Sequence, residues 1–258
     1  MRRKDFLIGM GGLVVGVPLG ALGARMSAPE PSPPPPATPP FQGQMSYAQA
    51  GEDLVVNFIF EQLKIEEKPY LDIGAYDPVY LSNSYLFYKQ GQRGVLVEPN
   101  VAMCKKLRAV RPRDTVLEAG IGIGKKGEAD YYVMSDASWS TFDRAEAEHM
   151  VKTTGGRVAI KEVRRMPLLD VNEVIAEHFA GRAPAFVSID AEGWHFRILK
   201  SIDFKRFRPH VICIETLISG EHRAIAEIPA FMKANGYVAR GGSFANTIFV
   251  DSRLLAPR

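Results

Sequence analysis

Five short apolar runs in this chain each end in an acid. Tyr70-Leu71 leads into Asp72, Val95-Leu96-Val97 into Glu98, and Val116-Leu117 into Glu118. Further on, Phe186-Val187-Ser188-Ile189 leads into Asp190, and Val211-Ile212-Cys213-Ile214 into Glu215. Short apolar runs bounded by turn residues read as strands buried on both faces, the kind parallel sheets use. Helix-like segments fall between them, so the pattern predicts an α/β fold: one parallel-rich sheet covered on both faces. An acid where such a strand ends lies at the carboxyl edge of the sheet, where open α/β folds bind ligands.

The first two runs make the most informative unit. Lys68–Asp77 and Gly94–Asn100 flank Ser82–Gln90, which reads as a helix stopped at Gly91. Gly74 allows a tight turn and close approach to a ligand. Glu98, ending the second strand, can accept two hydrogen bonds from a ribose diol. Asp72 and Glu98 are somewhat further apart than the ~20 residues typical of dinucleotide folds. There is no G-x-G-x-x-G, because Tyr76 and Asp77-Pro78 hold the places of the later glycines, and Asp77 would repel a pyrophosphate. A nucleoside carrying a cation fits better, and S-adenosylmethionine is one. The missing glycines disfavour a nucleotide-dependent oxidoreductase. The competing reading is that Asp72 only caps a turn in an unrelated α/β protein.

The 258 residues suffice for one α/β domain with a substantial core. A net charge of +3, with no Lys/Arg block interleaved with aromatics, argues against nucleic acid as a partner. Cys104 and Cys213 read as buried small hydrophobes, and the chain has no zinc-ligand spacing or disulfide framework. At the N-terminus, basic Met1–Lys4 precedes an uncharged run from Phe6 to Ala24, closed by Arg25. Three readings stand: an uncleaved anchor with a cytoplasmic N-terminus, a cleaved secretory signal, or a twin-arginine type signal. Residues 1–25 are therefore expected to be a signal or anchor, on an unresolved side of the membrane; the alternative is a plain disordered leader. Residues 26–44 are expected to be a proline-rich, semi-rigid linker, and 45–258 the folded domain.

In that domain, Leu54-Val55, Phe58-Ile59 and Leu63 are spaced for one helix face. Val101–Val110 reads as a helix with Met103, Leu107 and Val110 inward. Ala119–Gly122 reads as a loop able to lie against a base. Glu128–Met134 and Arg157–Arg165 read as strands, Leu169–Phe179 as a helix with Asp170 near its start, and Ala224–Asn235 as a helix capped by Gly236. Tyr237–Ala239 and Thr247–Val250 close the sheet, with Gly241-Gly242 between them.

Taken in order, these residues resemble the FkbM-type methyltransferases. The matching stretches are Ser46–Leu54, Asp72–Ala75, Glu98–Asn100, Ser188–Gly193, Ile212–Glu215 and Asn246–Val250. Many relatives carry Asn and a further Gly after the Gly-Ala pair, where this chain has Tyr76-Asp77-Pro78, as a variant subgroup does. The resemblance implies a class I fold, a Rossmann-like sheet of about seven strands with the last antiparallel. It implies S-adenosylmethionine as cofactor and methyl transfer to a hydroxyl of a sugar, glycan or other small molecule. Asp72, Gly74 and Ala75 would then lie near the methionine part. Glu98, with Asn100, would lie at the ribose, and Glu118 and Ala119 beside the adenine. Asp190 and Glu192 would face the acceptor. An alcohol is a poor nucleophile, so Asp190, Glu192 or His195 is expected to act as base; the acids could instead hold a divalent metal. The rival reading is a membrane-tethered, non-catalytic module that binds a nucleoside or glycan, since S-adenosylmethionine is made in the cytoplasm.

Overall fold

The structure, a computed structural model, describes residues 43–217 and 225–256. The expected leader, most of the linker and Ala224 lie outside the described residues. No helix among the described residues is long and apolar enough to cross a membrane.

The strands are β1 (Tyr70–Ile73), β2 (Gly94–Val97), β3 (Thr115–Leu117), β4 (Gly120–Ile121), β5 (Gly127–Met134), β6 (Ile160–Leu169), β7 (Phe186–Ile189), β8 (Val211–Glu215), β9 (Tyr237–Gly242) and β10 (Asn246–Asp251). The helices are α1 (Glu52–Leu63), α2 (Tyr85–Lys89), α3 (Val101–Val110), α4 (Arg144–Thr153), α5 (Val171–His178), α6 (His195–Ser201) and α7 (Glu227–Ala234).

Seven strands form one sheet in the order β3-β2-β1-β7-β8-β10-β9. The pairs among β3, β2, β1, β7 and β8 are parallel, and β10 is antiparallel to both its neighbours. This is the seven-stranded class I sheet expected from the sequence. From β1 the chain crosses to β2 on one side, and β7 is added on the other. The strand order therefore reverses between β1 and β7, which opens a crevice at their carboxyl ends.

Strand alternation sorts the core into two layers. Leu71, Ile73, Val95, Val97, Val187 and Ile189 pack on one face, with α5, α6 and α7. Tyr70, Leu96, Phe186 and Cys213 pack on the other, with α1 and α2.

Several sequence expectations shift. In α1 the buried face is Val56, Ile59 and Phe60, together with Glu52 and Asp53, while Phe58 is 58% exposed. The two acids share the buried face because each is fully hydrogen-bonded, which hydrophobic spacing cannot reveal. In α3 Cys104, not Val110, faces inward beside Leu107, and Val110 is exposed. Gly120-Ile121 is a strand, not a loop: it pairs with Leu168-Leu169 in a second, three-stranded sheet ordered β4-β6-β5. The helix expected from Ser82 begins at Tyr85, after Ser84 as N-cap. Gly241-Gly242 belong to β9 and do not separate it from β10.

Candidate active site

A cavity of about 400 Å³ opens at the carboxyl ends of β1, β2, β7 and β8. That is within the usual range for small-molecule sites. Its floor is Ile73, Gly74 and Val97; one wall is the second sheet with Tyr131 and Phe142, and the far end is Glu215 with Asn246.

Gly74 lets the turns after β1 and β7 approach closely. Its φ is +83°, and a Cβ there would stand 1.8 Å from the Asp190 carbonyl oxygen. The Asp190 N–H donates to the Ile73 carbonyl at 2.9 Å, so the turns after β1 and β7 pack backbone to backbone. Only glycine fits there.

Glu98 is 4% exposed and lines the cavity. The Tyr76 N–H donates to its Oε2 at 2.8 Å and the Asn100 N–H to its Oε1 at 2.7 Å. Each oxygen keeps a free lone pair for a further donor. Burial pushes its carboxyl up to about 7; the two backbone bonds oppose this and the charge of Asp72 adds to it.

Asp72 is placed differently. It is the third residue of β1, so its side chain points to the α2 side of the sheet and does not line the cavity. The Ser84 hydroxyl donates to its Oδ2 at 2.5 Å. The Arg111 guanidinium donates to the Ser84 hydroxyl at 3.0 Å, to the Tyr70 hydroxyl at 3.1 Å and to Asp114 at 2.8 Å. Arg111 is fully buried. Burial raises the Asp72 carboxyl, against the Ser84 bond and the Arg111 charge.

The other expected residues divide the same way. Ala119 lines the cavity, followed by Gly120 and Ile121. Ala75 is buried in the opposite core layer. Asn100 caps α3, its side chain accepting from the Ala102 and Met103 N–H groups. Glu118 turns outward to Arg108 at 3.1 Å. Asp190 and Glu192 line the cavity with Glu215. His195 does not: it is 2% exposed, with Nδ1 3.5 Å from Glu215 Oε2. Burial lowers its pKa to about 4, so it is a neutral imidazole at physiological pH.

Burial, then the charges of Asp72 and Glu52, raises the Asp190 carboxyl. Burial, then Asp190 and Glu192, raises that of Glu215 further still. The described lining carries Glu98, Asp190, Glu192 and Glu215 and no Lys, Arg or His.

Trp139 and Phe142 of the aromatic wall fall within Ser135–Arg157, the stretch the sequence offers as a substrate-pocket loop without showing its conformation; Tyr131, Trp194, Asn246 and Phe244 were not singled out as lining. Phe142 stacks on Trp194 with centroids 5.4 Å apart, and the Thr141 hydroxyl donates to the Glu192 carbonyl at 2.6 Å. The only local signal was the aromatic cluster Trp139–Phe142, with no periodicity to place it.

No curated protein matches the sequence. Among solved structures, the chain resembles a TehB-like SAM-dependent methyltransferase from Corynebacterium glutamicum, with 9% identity, a TM-score of 0.42, and 79% of this chain and 88% of that one covered. It also resembles a Burkholderia thailandensis 1,6-didemethyltoxoflavin-N1-methyltransferase with bound 1,6-didemethyltoxoflavin and S-adenosylhomocysteine (10%, 0.40, 78% and 76%). A third is an O-methyltransferase from Bacillus cereus in complex with SAH (12%, 0.37, 77% and 78%). Residues 72–239, well over half of the chain, match the methyltransferase FkbM domain. The chain belongs to the FkbM methyltransferase family.

Proposed function

We propose that this methyltransferase uses S-adenosylmethionine and methylates a hydroxyl of a sugar, glycan or other small neutral acceptor. The observation that carries the reading is the acid-only lining of the cavity around Gly74 and Glu98 among the described residues. Such a wall repels a pyrophosphate or phosphorylated acceptor and attracts a sulfonium or ammonium. The cofactor, when bound, supplies an electrophilic methyl group. Glu98 would hold the ribose hydroxyls, and the close turn at Gly74 would admit the amino-acid part. Ala119–Ile121 would lie along the adenine.

The remaining work belongs to this chain. In-line displacement needs the acceptor oxygen held on the far side of the methyl group and water excluded. The aromatic wall can present a flat apolar face to a sugar ring. Asp190, raised by burial and by the charges of Asp72 and Glu52, and Glu215, raised by burial and by those of Asp190 and Glu192, retain protons more readily than ordinary carboxylates. One can therefore take the hydroxyl proton near neutral pH while its neighbour stays neutral. His195 sits behind Glu215, with Nδ1 3.5 Å from its Oε2.

Calorimetry of the full-length protein with S-adenosylmethionine and S-adenosylhomocysteine tests the reading. Binding of both, abolished in Glu98→Ala, supports it. Absence of binding to either ends it, and binding without turnover on any hydroxylated acceptor would favour a non-catalytic module.

A further inference from the structure

We propose that Asp190, Glu192, Glu215 and the Asn246 amide oxygen form a site for a hard divalent cation, of the Mg²⁺, Mn²⁺ or Ca²⁺ class, at the acceptor end of the cavity. One carboxylate oxygen from each of the three acids lies within 4.8 Å of the others. Oxygens bound to such a cation stand about 2.0–2.6 Å from it, so ligands on opposite sides are roughly 4–5 Å apart. Asp190 and Glu215 stand at the ends of β7 and β8, which the sheet holds in register, and Glu192 lies in the turn between β7 and α6.

Asn246 supplies the second, separate observation. It is 4% exposed, lines the cavity and pairs directly with Glu215 across β8 and β10. Its Nδ2 donates to Glu52 Oε1 at 2.8 Å, which fixes which way the amide faces. Its Oδ1 is buried and has no hydrogen-bond partner, and the same is true of Glu215 Oε2. A buried oxygen without a partner is costly, and a proton held by Glu215 can meet only one such oxygen. A cation satisfies them together. The donor set is all oxygen and contains no thiolate, which selects a hard ion. His195 Nδ1 stands 3.5 Å from Glu215 Oε2, and neither atom has a hydrogen-bond partner. Glu52 holds Asn246 and also accepts from the Ser243 hydroxyl, so the amide is braced from behind.

A cation here would orient an acceptor hydroxyl and favour its alkoxide, with Asp190 and Glu215 ionised as its ligands in place of the proton-sharing pair that acts as base without it. That role rests on the proposed methyl transfer; whether the cation binds does not. The two tryptophans of the chain, Trp139 and Trp194, both line the cavity, so their fluorescence reports occupancy. Full-length protein stripped with a chelator is titrated with MnCl₂, following fluorescence quenching and free Mn²⁺ by electron paramagnetic resonance, then with MgCl₂ and CaCl₂ in competition. The expected result is one saturable equivalent, weakened about tenfold or more in Glu215→Gln and in Asn246→Ala. Glu148→Gln on the exposed face of α4 should leave it unchanged. Retained S-adenosylhomocysteine binding shows that the variants fold, and Asp190→Asn replaces any that does not. No saturable binding of any of the three ions up to about 10 mM, beyond the weakest class of such sites, overturns the proposal. So does Mn²⁺ binding indifferent to all three substitutions. Cofactor binding without metal binding sinks only the cation site, and the reverse sinks only the cofactor reading.

Discussion

At the residue scale, two acids that look alike in sequence do different work. Both Asp72 and Glu98 follow an apolar run, but Glu98 lies beyond its strand while Asp72 lies within one. The period-2 alternation of β1 turns Asp72 away from the cavity. The position of Glu98 was legible because a strand end is a coarse feature; the facing of Asp72 required the strand limit to within one residue. Glu98 also yields a pH prediction. Its folded carboxyl sits at about 7 against an ordinary 4.5. Its neutral form therefore stabilises the free protein at low pH, and that contribution is lost as pH rises through about 7. Ligand binding runs oppositely, because only the ionised carboxylate accepts from both ribose hydroxyls on both oxygens. S-adenosylhomocysteine affinity should rise from pH 6 to 8 by calorimetry, while Glu98→Gln binds weakly with a flat profile. A wild-type profile that is flat or falling would remove Glu98 from the ribose. Gly74→Ala tests the other fixed point. The added methyl meets backbone, which cannot rotate away, so a loss of about 1–3 kcal/mol in urea unfolding is expected, with weakened cofactor binding.

At the scale of elements, polar staples fix what hydrophobic spacing leaves open. The Ser46–Leu54 stretch was legible as a family feature, but its physical purpose was not. Asp53 accepts from the Ser46 hydroxyl at 2.6 Å and the Tyr47 N–H at 2.7 Å, closing the chain onto the start of α1. Glu52 reaches Ser243 and Asn246, tying α1 to the far side of the sheet. These contacts span almost two hundred residues of sequence, and no local pattern announces them. Arg111 is the second staple. As the residue ending α3 it reads as an ordinary surface cation, yet it joins β1, α2 and the turn before β3 through Tyr70, Ser84 and Asp114. Removing it leaves Asp114 and Asp72 buried without their cation. Arg111→Met should therefore cost about 3–5 kcal/mol in urea unfolding. Pairing it with Asp114→Asn should recover part of that loss. A double variant no more stable than the single one would show that the charge on Asp114 is not what Arg111 offsets.

At the scale of the whole molecule, the main sheet was readable and the cavity wall was not. Parallel strands announce themselves by short apolar runs, whereas β5 and β6 mix polar and apolar residues and leave half of them exposed. Their partnership is set by pairing at long range, from Gly127 with Leu168 to Met134 with Ile160. The wall they carry lines the cavity opposite Gly74, so the sequence pointed to a nucleoside-binding rim better than to an acceptor. The chain's relation to the membrane depends on the chemistry at that rim. A cofactor made in the cytoplasm must reach Glu98, so an active domain has to face the cytoplasm. The basic Met1–Lys4 before the uncharged Phe6–Ala24 run would instead retain the N-terminus there. A single spanning segment puts the N-terminus and the remainder of the chain on opposite sides. We therefore propose that the segment holds an active enzyme at the cytoplasmic surface. Full-length protein is then expected in the membrane fraction and extractable by alkaline carbonate, a chain lacking residues 1–25 in the soluble fraction, and a reporter fused after Arg258 on the cytoplasmic side. A reporter on the outer side would separate this domain from its methyl supply and leave ligand binding, not turnover, as its role.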